Sequence, residues 1–414
     1  MEYGLIGAKL GHSYSKQIHE QICGYTYELK ELSESELDPF MRERSFSGIN
    51  VTIPYKQDVI PYLDHVDPEA AKIGAVNTVV NRNGKLYGYN TDFYGLKQMM
   101  EQEGFDPAGK KVLILGSGGT SRTVRAVCEA LQARQILTVS RKKTSDPGMI
   151  SYEELPAHAD ADCLINTTPI GMYPNMDAEP VDLSVFRDLR SVVDVIYNPL
   201  RTRLVLDAQS RGIRACGGLK MLIGQAVVAA GLFTGENIPE SKGISAYRFV
   251  FNERSNIVLT GMPGAGKSTV GKMLAQKLDR TFIDTDEEIV RREGCSIPEI
   301  FSSRGEAAFR QMEVKTAQEL LEKAHCVIAT GGGFLLDPVC ERAMKAYGTV
   351  FFLNRDPSGI RPTDDRPLAD DPEKIAALYR QRLPRYQELA DHTVPVEGEP
   401  SDVCAAIMQI LEGE

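Results

Sequence analysis

Short apolar runs of β type alternate along the chain with stretches whose apolar positions recur at helical spacing. The runs predict strands at 3–7, 111–115, 135–140, 162–166 and 192–196, and again at 256–260, 280–283, 326–329 and 349–353. Helical periodicity covers 121–132 and 267–278, among others. Strand and helix in alternation predict α/β layers with mostly parallel sheets. At two places a strand passes through glycines straight into a helix, at Gly116 and at Gly261. Each such junction opens a nucleotide-binding layer of its own, so at least two are expected. Residues 241–254 are polar, follow Pro239 and precede a new strand, and read as a linker.

Composition narrows the class. The chain has 414 residues, 42% hydrophobic and 25% charged, with a net charge of −10. That is a soluble globular balance with room for several cores. Neither half is basic, which argues against nucleic acid as a partner. No apolar run is long enough to span a membrane, and the start, Met-Glu-Tyr-Gly, lacks a basic leader, so a cytoplasmic protein without a membrane partner is expected. The eight cysteines form no C-x-x-C pair and read as free thiols.

The sharpest motif is G-M-P-G-A-G-K-S at 261–268, between a strand and a helix. Its glycines let backbone N–H groups wrap phosphates. Gly264, Ala265, Gly266, Lys267, Ser268 and Thr269 are the candidate contacts to a nucleotide's phosphates, with Lys267 on the β- and γ-phosphates and Ser268 on Mg²⁺. Downstream, F-I-D-T-D places Asp284 and Asp286 at a strand end. Two readings stand there: a metal-organising acid plus an acid that orients a hydroxyl nucleophile, or helix caps. G-E-A-A-F-R, T-G-G-G, D-R-P-L and R-L-P-R-Y follow, containing Arg310, Gly331–Gly333, Arg366 and Arg382.

In this order the motifs of 255–414 resemble shikimate kinase. The resemblance implies Asp284 beside Mg²⁺ and Asp286 on the shikimate hydroxyl that is phosphorylated. It puts Arg310 and Arg382 on the carboxylate, Gly332 and Gly333 along the ring, and Arg366 on a lid that closes over the phosphates. Arg361 falls near the family's adenine-stacking position. The lid segment R-P-T-D-D-R is short and carries two acids, a departure from the family pattern.

The other junction, K-V-L-I-L-G-S-G-G-T-S at 111–121, has a G-x-G-x-x-S pattern. It fits a dinucleotide turn or a plain tight turn. The following strand ends in V-S-R-K-K. Basic groups there suit a 2′-phosphate, hence NADP(H), or form a solvated loop. Upstream, G-H-S-Y-S-K, N-V-T-I-P-Y-K, G-A-V-N-T and Y-N-T-D are polar islands suited to a polyhydroxylated acid. Lys56 and Asp92 offer a proton-sharing pair, or a surface lysine and a capping aspartate.

Together with N-T-T-P-I-G-M and Y-N-P, these motifs resemble shikimate dehydrogenase over residues 1 to about 250. The resemblance implies that Ser13, Ser15, Thr52, Asn77, Tyr197 and Gln225 contact substrate and that Lys56 and Asp92 are catalytic. It assigns Gly116, Gly118, Gly119, Thr120, Ser140, Arg141, Thr167, Gly217 and Met221 to the NADP(H) site. Lys16 stands where the family has proline, and Ser140 where it has asparagine.

The expected chain is α/β throughout: a substrate domain at 1–100, a Rossmann-like NADP-binding domain at 101–240, the linker at 241–254 and a P-loop kinase domain with a parallel sheet at 255–414. A helix around 219–235 is expected to return to the substrate domain with Gln225. The implied activity is NADPH-dependent reduction of 3-dehydroshikimate to shikimate, then ATP- and Mg²⁺-dependent phosphorylation of shikimate. The alternatives are a quinate/shikimate dehydrogenase using NAD, or one half inactive and regulatory. The oligomeric state, monomer or homodimer, stays open.

Overall fold

The apolar runs become the central strands of three sheets. The computed structural model describes residues 1–11, 13–141, 145–360 and 371–413. The chain divides into two units, Met1–Phe251 and Asn252–Glu414.

The first sheet contains β1 (Tyr3–Gly7), β2 (Tyr27–Glu31), β3 (Gly48–Val51), β4 (His65–Val66), β5 (Thr78–Arg82) and β6 (Lys85–Tyr89), in the order 2-1-3-5-6-4. Strands β5 and β6 form an antiparallel hairpin. Its turn, Asn83–Gly84, has positive φ at both residues (55° and 82°). This is the sequence and backbone that match the twist of a two-residue hairpin.

The second sheet is wholly parallel: β7 (Lys111–Leu115), β8 (Gln135–Val139), β9 (Met149–Ile150), β10 (Cys163–Asn166), β11 (Ser191–Asp194) and β12 (Arg214–Cys216). Its order, 12-11-10-7-8-9, reverses direction between β7 and β10. Period-two side chains explain the layers. Val112 and Ile114 pack into one core, whereas Leu113 and Leu115 pack into the opposite one. A ligand crevice is expected at the carboxyl ends of β7 and β10, where the connections part to opposite faces.

The helix Leu219–Thr234 crosses the helix Thr91–Gln102 with backbones in contact. A β-carbon on Gly95 would lie 2.5 Å from the Gln225 amide nitrogen, and one on Gly224 would lie 3.1 Å from Gly95 Cα. Further along, Ala229 and Phe233 pack with Leu5, Tyr27 and Val80 of the first sheet. The helix thus returns to the N-terminal lobe, and two glycines bring the residues around Asp92 and Gln225 together.

The second unit holds β13 (Asn256–Thr260), β14 (Thr281–Asp284), β15 (Cys326–Ala329), β16 (Gly348–Asn354) and β17 (His392–Pro395), all parallel, in the order 14-15-13-16-17. Ile257 and Leu259 face one core and Val258 the other. Residues 241–254, read above as a linker, are helical within Glu240–Arg254. The Pro239 carbonyl accepts from the Lys242 amide, so the proline starts this helix instead of breaking structure. Ala246 and Val250 are buried on it. Among the described residues no helix is long and apolar enough to cross a membrane.

Candidate active sites

In the first unit the polar islands converge at one end of the first sheet. Lys56 Nζ donates to Asp92 Oδ2 at 2.6 Å. Asp92 lies in the first turn of the helix Thr91–Gln102, which Asn90 caps by accepting from the Phe93 amide. The Lys56 carbonyl accepts from the Val76 amide, so the lysine loop is tied to the segment leading into Asn77. The two charged side chains remain 25% and 17% exposed, open enough for a ligand to reach.

Behind the pair runs a buried polar network. Tyr27 Oη donates to Asn50 Oδ1 (2.6 Å), and Asn50 Nδ2 donates to Thr78 Oγ1 (2.9 Å). Asn77 Nδ2 donates to Thr91 Oγ1 (3.0 Å), and Asn77 Oδ1 accepts from the Thr91 amide (2.6 Å). Thr91 Oγ1 also contacts Gln225 Oε1 at 3.3 Å, across 134 positions of sequence. Asn50, Thr78 and Thr91 lie inside the motifs N-V-T-I-P-Y-K, G-A-V-N-T and Y-N-T-D, but the sequence assigned them no role. Buried polar groups need partners, and this set holds the Asn77 and Gln225 amides in fixed orientations. Ser13 and Ser15 start the helix Ser15–Cys23, where Ser13 Oγ accepts from the Ser15 amide at 3.2 Å. Thr52 follows β3, with its amide bonded to the Ile6 carbonyl.

His19 was also missed. It is fully buried, bonded through Nδ1 to Tyr25 Oη (2.6 Å) and stacked 4.2 Å from Tyr27. Burial pushes its pKa down to about 3. Asp194 at the end of β11 is likewise buried, its pKa pushed up to about 6 by desolvation, and it is held by Thr202 and Asn166.

The glycine turn falls at the switch point. Gly116 has φ 99°, and a β-carbon there would meet Thr167 Oγ1 at 2.9 Å. Gly118 and Gly119 have open space where side chains would be, ahead of the helix Gly119–Ala130 that Thr120 helps to open. That cradle fits a pyrophosphate, which the helix N-terminus favours. Ser140 Oγ lies 3.3 Å from Ser117 Oγ, and Arg141 is exposed beside it. Lys142 and Lys143 lie outside the described residues. With its amide oriented to accept, Gln57 Oε1 takes a bond from Arg122 Nη1 at 2.7 Å, joining the cofactor-side helix to the loop of Lys56. Met221 is buried against Ile114 and Val193, and a β-carbon on Gly217 would press on the Leu200 carbonyl at 2.6 Å. Tyr197 packs edge-on against Tyr14.

In the second unit one cavity of about 530 Å³ gathers nearly all the motif residues. Gly261, Gly264 and Gly266 have positive φ, which a side chain would strain. Lys267 Nζ donates to the Gly261 and Met262 carbonyls (2.9 Å each). Ser268 Oγ donates to Asp284 Oδ2 at 2.6 Å, a hydroxyl–carboxylate couple suited to a hard divalent ion. Asp284 also caps the helix Thr285–Glu293 by accepting from the Asp286 and Glu287 amides, as the helix-cap reading expects. Ala265 is fully buried, anchoring the loop in the core.

Asp286 points into the same cavity with Oδ1 buried and unbonded. Desolvation, then the neighbouring Asp284, push its pKa up to about 6, while Lys267 and Arg310 pull the other way. Gly331 leaves space for it: a β-carbon there would lie 2.5 Å from Asp286 Oδ1. Gly332 abuts Pro263 and Gly333 abuts Arg310. Arg310 Nη1 donates to Glu313 Oε2 and Nη2 to Glu306 Oε1, both at 2.7 Å. Burial raises Glu313 to about 7 despite Arg310 and Arg382. Arg382 is buried beside Tyr386, whose hydroxyl donates to the Gly332 carbonyl. Glu313 escaped the sequence reading, although its position three residues after Arg310 on one helix face was a signal. Arg361 and Arg366 lie outside the described residues.

A doubly wound sheet with its glycine turn at the switch point, and a phosphate loop facing an acid and two arginines, define a tandem of two nucleotide-using α/β enzymes. Comparison with known proteins sharpens this. The family profile for the shikimate dehydrogenase substrate binding domain matches residues 5–79, and that for shikimate kinase matches 263–412. A shikimate dehydrogenase (NADP(+)) of Clostridium perfringens (strain SM101 / Type A) is 36% identical over 261 residues, 59% of this chain and 96% of that protein. Among solved structures, a chorismate mutase/shikimate 5-dehydrogenase fusion protein from Clostridium acetobutylicum superimposes with a TM-score of 0.57 at 36% identity, over 60% of this chain and 96% of that one. Shikimate 5-dehydrogenase from Thermus thermophilus, solved with NADP(H) and shikimate, gives 0.54 at 30% identity over 60% and 99%. The chain belongs to the shikimate dehydrogenase family in its first unit and carries a shikimate kinase domain in its second, making it a dehydrogenase–kinase fusion.

Proposed function

We propose that the chain performs two successive reactions: NADPH-dependent reduction of 3-dehydroshikimate to shikimate, then ATP- and Mg²⁺-dependent phosphorylation of shikimate. The observation that carries the reading is that each unit joins a nucleotide-type glycine loop to a separate set of groups suited to one hydroxylated ring acid.

In the dehydrogenase, bound NADPH supplies the hydride. Lys56 Nζ, oriented by Asp92, gives the proton that the carbonyl oxygen needs as it becomes a hydroxyl. Ser13, Ser15, Thr52, Asn77 and Gln225 hold the carboxylate and ring hydroxyls, with Tyr197 alongside. The Asn50–Thr78–Thr91 network keeps two of those amides from rotating. Gly116, Gly118, Gly119 and Thr120 cradle the pyrophosphate, with Ser140, Arg141 and Thr167 on the adenosine and ribose side. Gly217 and Met221 act by packing behind the nicotinamide end.

In the kinase, the loop from Gly264 to Thr269 holds the ATP phosphates, and Lys267 offsets their charge. Ser268 and Asp284 would hold Mg²⁺, which supplies charge neutralisation on the phosphates. Asp286 orients the attacking hydroxyl and takes its proton. Arg310 and Arg382 grip the carboxylate in guanidinium forks, and Gly332 and Gly333 let the ring approach the backbone. Arg366 is assigned to the phosphates on family resemblance.

The test uses the full chain carrying Lys56→Ala or Lys267→Ala. The first should lose NADPH oxidation and keep phosphorylation of added shikimate; the second should show the reverse. Loss of both reactions in either variant, with the fold retained, would refute two separate sites.

A further inference from the structure

Among the described residues, four cationic side chains line the kinase cavity: Lys267, Arg310, Arg355 and Arg382. Three already have partners. Lys267 is bonded to two carbonyls, Arg310 to two carboxylates, and Arg382 to the Tyr386 hydroxyl. Arg355 makes no ion pair or hydrogen bond within the described residues. The acid next to it in sequence, Asp356, is engaged elsewhere: its Oδ1 accepts from the Ser358 amide (2.8 Å) and from Ser358 Oγ (2.6 Å).

The root of Arg355 is fixed even though its head is free. It follows Asn354, the last residue of β16, whose Oδ1 accepts from Tyr379 Oη (2.9 Å) and whose carbonyl accepts from the Val396 amide (3.0 Å). The side chain then runs past Gly359, where a β-carbon would come within 3.4 Å of its Nε. A half-buried guanidinium without a counter-charge is unfavourable unless a ligand supplies one.

The sheet order decides which ligand. Strand β13, which launches the phosphate loop, has β15 and β14 on one side and β16 on the other. Most of the groups suited to the acceptor, Asp286, Arg310 and the glycine triple, follow β14 and β15, while Arg382 reaches the cavity from the helix Pro372–Leu389 after β16. Arg355 follows β16, on the opposite flank of the loop. A nucleotide whose terminal phosphate faces the acceptor extends its remaining phosphates toward that flank.

We propose that Arg355 is a nucleotide-binding residue that pairs with the polyphosphate of the kinase substrate, on the side of the loop away from the acceptor. This rests on the kinase reading of the same cavity. The experiment is calorimetric titration of the full chain with ADP and, separately, with shikimate. Arg355→Ala should weaken ADP binding about tenfold, the scale of one charge-assisted contact, and leave shikimate affinity and the dehydrogenase rate unchanged. Arg355→Lys should recover part of the loss. ADP affinity within about twofold of wild type, or an equal loss for shikimate, would overturn the proposal. Failure of the kinase reading would appear differently, as ADP binding by a wild-type chain that does not phosphorylate shikimate.

Discussion

Replacing Gly331 with alanine perturbs one atom of the kinase site by a known amount. Gly331 has no positive φ, so alanine fits its backbone. Its new β-carbon would lie 2.5 Å from Asp286 Oδ1 and 3.2 Å from its Cγ. An ordinary contact is nearer about 3.5 Å, so the carboxylate must retreat by about 1 Å. The glycine is the less mobile partner, because its amide donates to the buried Thr285 hydroxyl at 2.9 Å. Asp286 Oδ1 has no hydrogen bond to hold it in place. A displacement of about 1 Å in a group that orients the nucleophile costs on the order of 100-fold in rate, or about 2.7 kcal/mol of transition-state stabilisation. The assay is steady-state phosphorylation of shikimate, with ADP affinity measured alongside. The expected result is kcat down about 100-fold with ADP affinity and the dehydrogenase rate nearly unchanged. A kcat within about threefold of wild type, or a loss appearing mainly as weakened ADP binding, would refute the assignment of Asp286.

Three further outcomes follow from the same geometry. Gly333→Ala presses on Arg310 instead, so its effect should fall on KM for shikimate by about tenfold more than on kcat, as saturation curves would resolve. Lys56→Ala and Asp92→Asn should each slow NADPH oxidation by about 10²–10⁴-fold, and the double variant should be little worse than the poorer single; additive losses would mean the two groups do not act as a pair. His19 is neutral when folded, its pKa lowered to about 3, so its contribution is full above the unfolded value near 6.5 and is lost as pH falls. Calorimetry between about pH 6.5 and 5 should show the first unit losing up to about 1.4 kcal/mol per pH unit, and a shallower slope in His19→Phe.

The sequence made some of this legible and hid the rest for physical reasons. Strands such as β7 and β13 are buried on both faces, so they read as unbroken apolar runs, and the loops after them need glycine for conformation or contact, as at Gly116, Gly261 and Gly266. The edge strand β2, Y-E-L-K-E, has one buried residue and four exposed ones, and it carries no such signal. Strand β4 is only two residues long. The helix Glu240–Arg254 reads as a linker in the sequence because it buries only two side chains and presents a mostly polar surface. In the sites, motif spacing brought out residues that face a ligand. It did not show which residues pair to hold those in place. Thr91 and Gln225 meet across 134 positions, and Glu313 reaches Arg310 only once the helix has formed. Arg355 belongs to no motif and gains meaning only from the order of the strands.

The central claim is that one chain carries both reactions in sequence. The direct measurement is a single incubation of the full chain with 3-dehydroshikimate, NADPH, ATP and Mg²⁺, with products identified by mass spectrometry. The account predicts shikimate 3-phosphate with matched oxidation of NADPH and formation of ADP. Unchanged 3-dehydroshikimate, or shikimate accumulating without its phosphate while ATP remains intact, would contradict it.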